Sequence, residues 1–200
     1  MSKKVIFGGS FNPVTLGHGT VISRLEEAGF QEIILLPCFD HFHGKELELS
    51  KIRLEMCRRM FRNWKGVRVS NFEIKNQLTG ATIDLIQAWL DHYGEVEDLF
   101  FLIGTDNANY FHNWKSWREL QSLVSFLVME RPGEPLFESG KWCLQEPHLW
   151  LPIKRSYNQV LSSSLFRDKM KKELLSEACK LVSPKVWNFI KKQGLYQVND

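Results

Sequence analysis

Short apolar runs alternate along this chain with stretches whose apolar residues recur every three to four positions. Val5 to Phe7 predicts a buried strand that ends at Gly8-Gly9. Gly17 to Ala28 predicts a helix, with Val21, Ile22, Leu25 and Ala28 on one face and Gly29 as its stop. Glu32 to Leu36 is the next predicted strand, closed by Pro37. A helix carrying Ile52, Met56 and Met60 follows, with Ser50 as its expected cap. Val67 to Val69 predicts a short strand. Thr82 is placed to cap a helix bearing Leu85, Ile86, Trp89 and Leu90. Leu99 to Ile103 is the most apolar run and ends at Gly104; Leu123 to Met129 is the next, stopped by Arg131-Pro132-Gly133. Strands alternating with helices imply a doubly wound parallel sheet with helices on both faces, an α/β fold.

Residues 134–159 hold three of the seven prolines and predict loops, with a short strand near Trp150 to Ile153. Ser163 to Leu175 and Pro184 to Lys192 predict helices, the second stopped by Gly194. These helices are expected to pack on the sheet as a small C-terminal cap, dividing the chain into a core at 1–150 and a helical segment at 151–200. Ligands of an open parallel sheet bind beyond the carboxyl ends of its strands. The residues after Phe7, Leu36, Ile103 and Met129 are therefore the candidates.

Composition narrows the classes little. The 200 residues carry a formal charge of +3, an excess that suits a phosphate pocket and does not call for a nucleic-acid partner. Cys38, Cys57, Cys143 and Cys179 lie far apart, so reduced thiols are expected rather than a disulfide frame or a zinc site. No run is long enough to be a bilayer span or a signal peptide, which points to a cytoplasmic protein without a membrane partner. The sequence leaves a homo-oligomer open.

The first strand-to-helix turn reads Gly8-Gly9-Ser10-Phe11-Asn12-Pro13-Val14-Thr15-Leu16-Gly17-His18. Glycines after a strand let the backbone approach a bulky ligand, and the following helix N-terminus attracts phosphate. His18 falls in the first turn of that helix. The bland alternative is a tight turn with a histidine cap. A second motif, Leu161-Ser162-Ser163-Ser164-Leu165-Phe166-Arg167, offers hydroxyls, N–H groups and a guanidinium to phosphate oxygens; taken alone it also reads as a serine cap beside a surface arginine.

Together, Thr15-Leu16-Gly17-His18 and Leu161 to Arg167 resemble the (H/T)-x-G-H and I-S-S-x-x-x-R signatures of a nucleotidyltransferase superfamily. Within it the chain resembles the nicotinate or nicotinamide mononucleotide adenylyltransferases nearly end to end. Gly8 to His18 matches their G-G-S/T-F-N/D-P opening, and His41 to Lys45 their H-x-F-G-K segment with His43-Gly44 in place of Phe-Gly. Arg53-Leu54, Thr82-Ile83-Asp84, Gly104-Thr105-Asp106-Asn107, Trp114, Arg131-Pro132-Gly133 and the tail Val182 to Tyr196 also match. Two departures stand out. Ala81 replaces the usual Tyr, and no P-P-H-K follows Pro37, so the sequence leaves the choice between acid and amide mononucleotide open.

The resemblance implies a Rossmann-like nucleotidyltransferase fold and transfer of AMP from ATP to the mononucleotide, with release of pyrophosphate, in NAD synthesis. It implies His18 at the α/β-phosphates and Lys45 and Arg167 at the β/γ end as the catalytic residues. Gly8, Gly9, Ser10, Phe11, Thr15, Gly17, Gly104, Asp106, Ser162 and Ser163 are implied on the ATP and phosphate side. Asn12, Thr82, Trp114 and Arg131 are implied on the mononucleotide side. Mg²⁺ is expected with the triphosphate and no protein metal site of its own. Lys45 also reads as a surface charge beside Glu46 and Glu48, Asp106 as a helix cap, and Trp114 as a core anchor; His41 and His43 fit a loop as well as a ligand contact. The rival readings are a phosphopantetheine adenylyltransferase, a cytidylyltransferase, and a non-catalytic nucleotide-binding module of the same fold.

Overall fold

A computed structural model describes residues 3–40, 44, 46–94, 98–152 and 161–197. Six strands form one sheet: β1 (Lys4–Gly9), β2 (Glu32–Pro37), β3 (Val67–Val69), β4 (Leu99–Gly104), β5 (Ser125–Met129) and β6 (Leu149–Leu151). Their order is β3-β2-β1-β4-β5-β6, and every pairing is parallel. The apolar runs are continuous because both faces are covered: all six residues of β4 are buried. Alternate residues serve opposite faces. Val5, Ile33, Leu35, Phe100, Leu102 and Leu127 join one core. Ile6, Ile34, Leu36, Phe101, Ile103 and Val128 join the other.

The first core is closed by α1 (Leu16–Glu27), α2 (Ser50–Phe61) and three C-terminal helices, α7 (Ser163–Lys171), α8 (Leu175–Ala178) and α9 (Pro184–Gln193). Phe166, Met170, Val186 and Ile190 of that C-terminal group are buried in the same cluster as Val5 and Ile22. The second core is closed by α3 (Phe72–Lys75), α4 (Thr82–Tyr93), α5 (Thr105–Asn109) and α6 (Trp117–Leu123).

Several elements differ in detail from the sequence pattern. Ser50 and Thr82 are the first helical residues rather than caps. At α4 the N-cap is Ala81, with no side-chain cap; the Thr79 hydroxyl accepts the Ala81 N–H at 3.2 Å just before the helix. The helix predicted through Leu175 stops at Lys171, because Glu173 turns left-handed at φ 57° and Leu174 bonds back to Lys169. The expected strand at 150–153 runs from Leu149 to Leu151 and pairs with β5, so the expected boundary at 150 falls within the sheet; Ile153 lies outside the described residues. Residues 138–144, expected as loop, form a 3₁₀ helix that buries Cys143.

Candidate active site

Strand order reverses between β1 and β4, which are neighbours whose connections lead to opposite sides of the sheet. This switch point opens a crevice past the strand ends. Two clefts meet there. The larger, about 550 Å³, is lined by Gly8, Gly9 and Ser10 after β1, Cys38 and Asp40 after β2, Glu73, Thr82, Asp106, Tyr110, Trp114 and Lys115. The smaller, about 190 Å³, is lined by Phe7, Gly8, Gly17, Thr20, Gly104, Arg131 and Pro132. Gly8, Leu102, Ile103 and Asn107 line both, so the two are chambers of one groove.

In the larger chamber Trp114 is half-buried, its ring centroid 5.5 Å from that of Phe111. One part of it anchors to the core while another lines the cleft. The first turn of α4 opens onto the same space through Ala81 and Thr82, and the leading N–H groups of a helix have no partner within it. Asp84 does not close that turn. Its carboxylate is taken by Lys115 Nζ at 2.8 Å and, secondarily, by the Thr79 hydroxyl, which hold its pKa below the usual carboxylate range.

Gly104, expected to admit a ligand, lines the smaller chamber, and the space beside its Cα is filled by the protein itself. A Cβ there would lie 2.3 Å from Arg131 Nε and 2.5 Å from Asp106 Oδ1. Arg131 folds back over the glycine and donates to Asp106 Oδ2 at 3.0 Å. Arg131, expected on the mononucleotide side, thus lines the smaller chamber. Asp106 is not the helix cap; Gly104 is. Its Oδ1 is buried with no hydrogen-bond partner among the described residues, which is an acceptor awaiting a donor.

His18 has two distinct ring nitrogens. The Thr15 main-chain N–H donates to Nδ1 at 2.9 Å, so Nδ1 presents its lone pair and the proton sits on Nε2. Thr15 Oγ1 also lies 2.9 Å from Nδ1 but directs its hydrogen to the Leu161 carbonyl at 2.7 Å. The ring is half-buried against Phe7 and Phe11, with centroids 6.0 and 5.0 Å away. Burial, and secondarily the positive charge of Arg131, lowers its pKa to about 4. His18 is therefore a neutral donor whose Nε2–H has no partner among the described residues. It is at once the N3 member of the capping box whose N-cap is Thr15 and a group ready to give a hydrogen bond.

The two signature motifs are tied together by the main chain. A Cβ on Gly17 would lie 2.2 Å from the Leu161 carbonyl oxygen, so Gly17 makes room for Leu161 as well as lining the smaller chamber. Ser163 Oγ donates to Pro13 O at 2.8 Å, and Ser162 Oγ accepts from Leu165 N as the cap of α7. Both hydroxyls expected to face phosphate are thus engaged within the protein. Arg167 donates to Asn12 O at 2.6 Å and to Ser164 Oγ at 3.3 Å. Asn12, expected at the mononucleotide, is 2% exposed and accepts from Tyr196 Oη at 2.8 Å and Glu48 N at 3.3 Å. Phe11, expected on the path between the nucleotides, is 1% exposed with φ 45°; its ring packs under Gly9 instead. Arg167 lines a separate hollow with Lys171 and Tyr196 rather than either chamber.

Lys45, His41 and His43 lie outside the described residues. Sequence reasoning passed over Glu73, Tyr110 and Lys115, which the fold brings to the larger chamber. Lys115 could have been found as the neighbour of Trp114; Glu73 stands in a four-residue helix with no periodic signal. Among the described residues no group of three or more His, Cys, Asp or Glu could hold a metal ion, and no helix is long and apolar enough to cross a membrane.

A family model described as cytidylyltransferase-like matches residues 6–169. A relative from Fusobacterium nucleatum, described as a probable nicotinate-nucleotide adenylyltransferase, is 31% identical, covering 96% of this chain and 98% of its own. A protein of the same description from Methylacidiphilum infernorum is 29% identical over 97% of this chain and 92% of its own. Two solved structures of the Plasmodium falciparum nicotinic acid mononucleotide adenylyltransferase, one complexed with NaAD and one with APC, share the fold. Their TM-scores are 0.83 and 0.81, at 22% and 23% identity, over 100% of this chain and 99% of theirs.

Proposed function

This chain belongs to the cytidylyltransferase-like family and, within it, to the nicotinate-nucleotide adenylyltransferases, and we propose that it joins the phosphate of nicotinate mononucleotide to the AMP half of ATP. A phosphate oxygen of the mononucleotide attacks the α-phosphorus of ATP. The new P–O–P bond forms as the α–β bond breaks, and pyrophosphate leaves with the electron pair. The attacking phosphate is already anionic at neutral pH, so no general base is required. Rate enhancement then comes from alignment and from donors placed where charge develops.

The observation that carries this reading is the single groove of two chambers joined at Gly8, Leu102, Ile103 and Asn107. The larger takes the mononucleotide and the smaller the adenosine of ATP, so that both phosphates meet at the glycine turn. His18 gives its Nε2–H to the phosphates as a neutral donor, and Arg167 and Lys45 serve the far end of the triphosphate. For that, Arg167 turns out of its separate hollow toward the groove, giving up its contact with Ser164 for phosphate. Asp106 Oδ1 accepts from a ribose hydroxyl. A divalent cation, Mg²⁺ in this reading, arrives with the triphosphate and is held by its oxygens and water.

The acid is favoured over the amide. A pyridine carboxylate in the larger chamber would meet the leading N–H groups of α4 and the positive end of its dipole at Thr82. An uncharged amide gains less from both. The test offers ATP and Mg²⁺ with nicotinate mononucleotide, nicotinamide mononucleotide or phosphopantetheine in parallel, and measures pyrophosphate and the dinucleotide. Turnover with nicotinate mononucleotide far above the amide is expected. Product from phosphopantetheine alone, or from none of the three, refutes the assignment.

A further inference from the structure

Arg53, on α2, is the largest of the fully buried side chains, at 0% exposure. Burying a guanidinium is costly unless every donor finds a partner. Here every one does. Nε donates to Glu48 O at 2.8 Å. One terminal nitrogen donates to Ser10 O at 2.7 Å and contacts Cys38 Sγ at 3.5 Å. The other donates to Cys38 O at 2.7 Å and Phe39 O at 3.1 Å. None of these acceptors is a carboxylate, and all but Cys38 Sγ are main-chain carbonyls.

Glu73 grips the same stretch from the other side. It is 3% exposed, and its Oε1 accepts the Phe39 N–H at 3.2 Å. Burial raises its pKa to about 7, against the pull of the Phe39 N–H and Arg53. Phe39 thus has its N–H held by one buried ionisable side chain and its carbonyl by another. The groups joined belong to two separate connections: the turn after β1, and both ends of the loop that runs from β2 to α2. Ser10 and Cys38 both line the larger chamber. An ammonium could not replace the guanidinium, whose rigid planar fork alone reaches acceptors in several directions at once.

We propose that Arg53 and Glu73 are positioning residues that set the wall of the larger chamber through the main chain at Ser10, Cys38 and Phe39. The proposal rests on reading that chamber as the mononucleotide site. The experiment compares Glu73→Ala, Glu73→Gln and Arg53→Lys with the wild type. It measures amide hydrogen exchange at Phe39 without substrate, and kcat and both KM values for adenylyl transfer at a temperature well below each variant's Tm. Glu73→Ala is expected to speed Phe39 exchange by roughly tenfold or more. It should also lower kcat/KM for nicotinate mononucleotide by roughly tenfold to a hundredfold, as for a displacement near 1 Å, with the KM for ATP moving least. Glu73→Gln, whose amide oxygen still accepts the Phe39 N–H, recovers most of each loss. Arg53→Lys, if folded, reproduces the Glu73→Ala pattern. Unchanged Phe39 exchange in Glu73→Ala overturns the clamp. Faster exchange with wild-type kinetics overturns its role in the site. A Glu73→Gln as impaired as Glu73→Ala also overturns it, since charge rather than the hydrogen bond would then matter. If the wild type makes no dinucleotide, the functional reading falls by itself, and the exchange comparison alone upholds or overturns the clamp.

Discussion

Replacing Gly17 by Ala isolates the seam between the two ends of the chain. The added Cβ would lie 2.2 Å from the Leu161 carbonyl oxygen and 3.1 Å from its carbonyl carbon. Both are main-chain atoms that cannot rotate away. Gly17 is not among the residues with positive φ, so the effect is steric and not a matter of backbone strain. Leu161 must retreat, and the Thr15 hydroxyl loses its acceptor. Overpacking of this kind costs about 1–3 kcal/mol, and the lost hydrogen bond about 1 kcal/mol. Helix propensity returns up to about 1 kcal/mol on going from Gly to Ala. The net is a loss of about 1–3 kcal/mol, or a Tm lowered by roughly 2–12 °C for a chain of this size. Activity should suffer beyond stability, because Leu161 leads directly into Ser162 and α7, which carries Arg167. A fall in kcat of roughly tenfold or more is expected while the protein is still folded. Thermal melting by circular dichroism and initial rates of pyrophosphate release measure both. A Tm within about 1 °C of the wild type together with an unchanged kcat would show that the chain yields freely there, and the seam would not constrain the site.

His18 should remain neutral well into acid. Its folded pKa of about 4 lies below the usual 6.5, so the fold favours the neutral ring. That contribution is present above pH 6.5 and is lost as pH falls toward 4, by at most about 3 kcal/mol and less where solvent reaches the ring. An imidazole NMR titration with a midpoint near 6.5 would refute it. His18→Ala, which deletes the Nε2–H donor, is expected to lower kcat about a hundredfold with a smaller change in either KM; a wild-type kcat would leave His18 with only its capping role. Trp114→Phe and Trp114→Ala should raise the KM for nicotinate mononucleotide in graded steps, each stacking or cation–π contribution being about 0.5–2 kcal/mol. Because the ring also touches Phe111, some loss of Tm accompanies the alanine; a large loss with an unaltered KM would make it a packing residue alone.

The layered α/β architecture was legible in the sequence because burial on both faces leaves a local mark. A six-residue apolar run closed by glycine, such as Leu99–Gly104, fits a central strand of a covered sheet by its length and its stop, and helical spacing in 17–28 needs no knowledge of the rest of the chain. The glycines at the strand ends and the two signature motifs were equally visible, since each is a short contiguous string. What fills the space beside those glycines was not. Leu161 faces Gly17 across the bond between Thr15 and Leu161, 146 positions apart, and Arg131 with Asp106 fills the room at Gly104. Phe11 and Asn12 look like ligand contacts in a loop motif, yet they are buried, the first under Gly9 and the second beneath Tyr196. Glu73 and Arg53 carry no periodic signal that separates them from surface charges. Only when β2 lies beside β1, and α2 and α3 close over the strand ends, do their donors and acceptors meet Ser10, Cys38 and Phe39. Local propensity and apolar period are properties of a few neighbouring residues and can be read from them. The occupant of a buried polar position is decided by which distant segment arrives opposite it, and that is set by the closing of the tertiary structure.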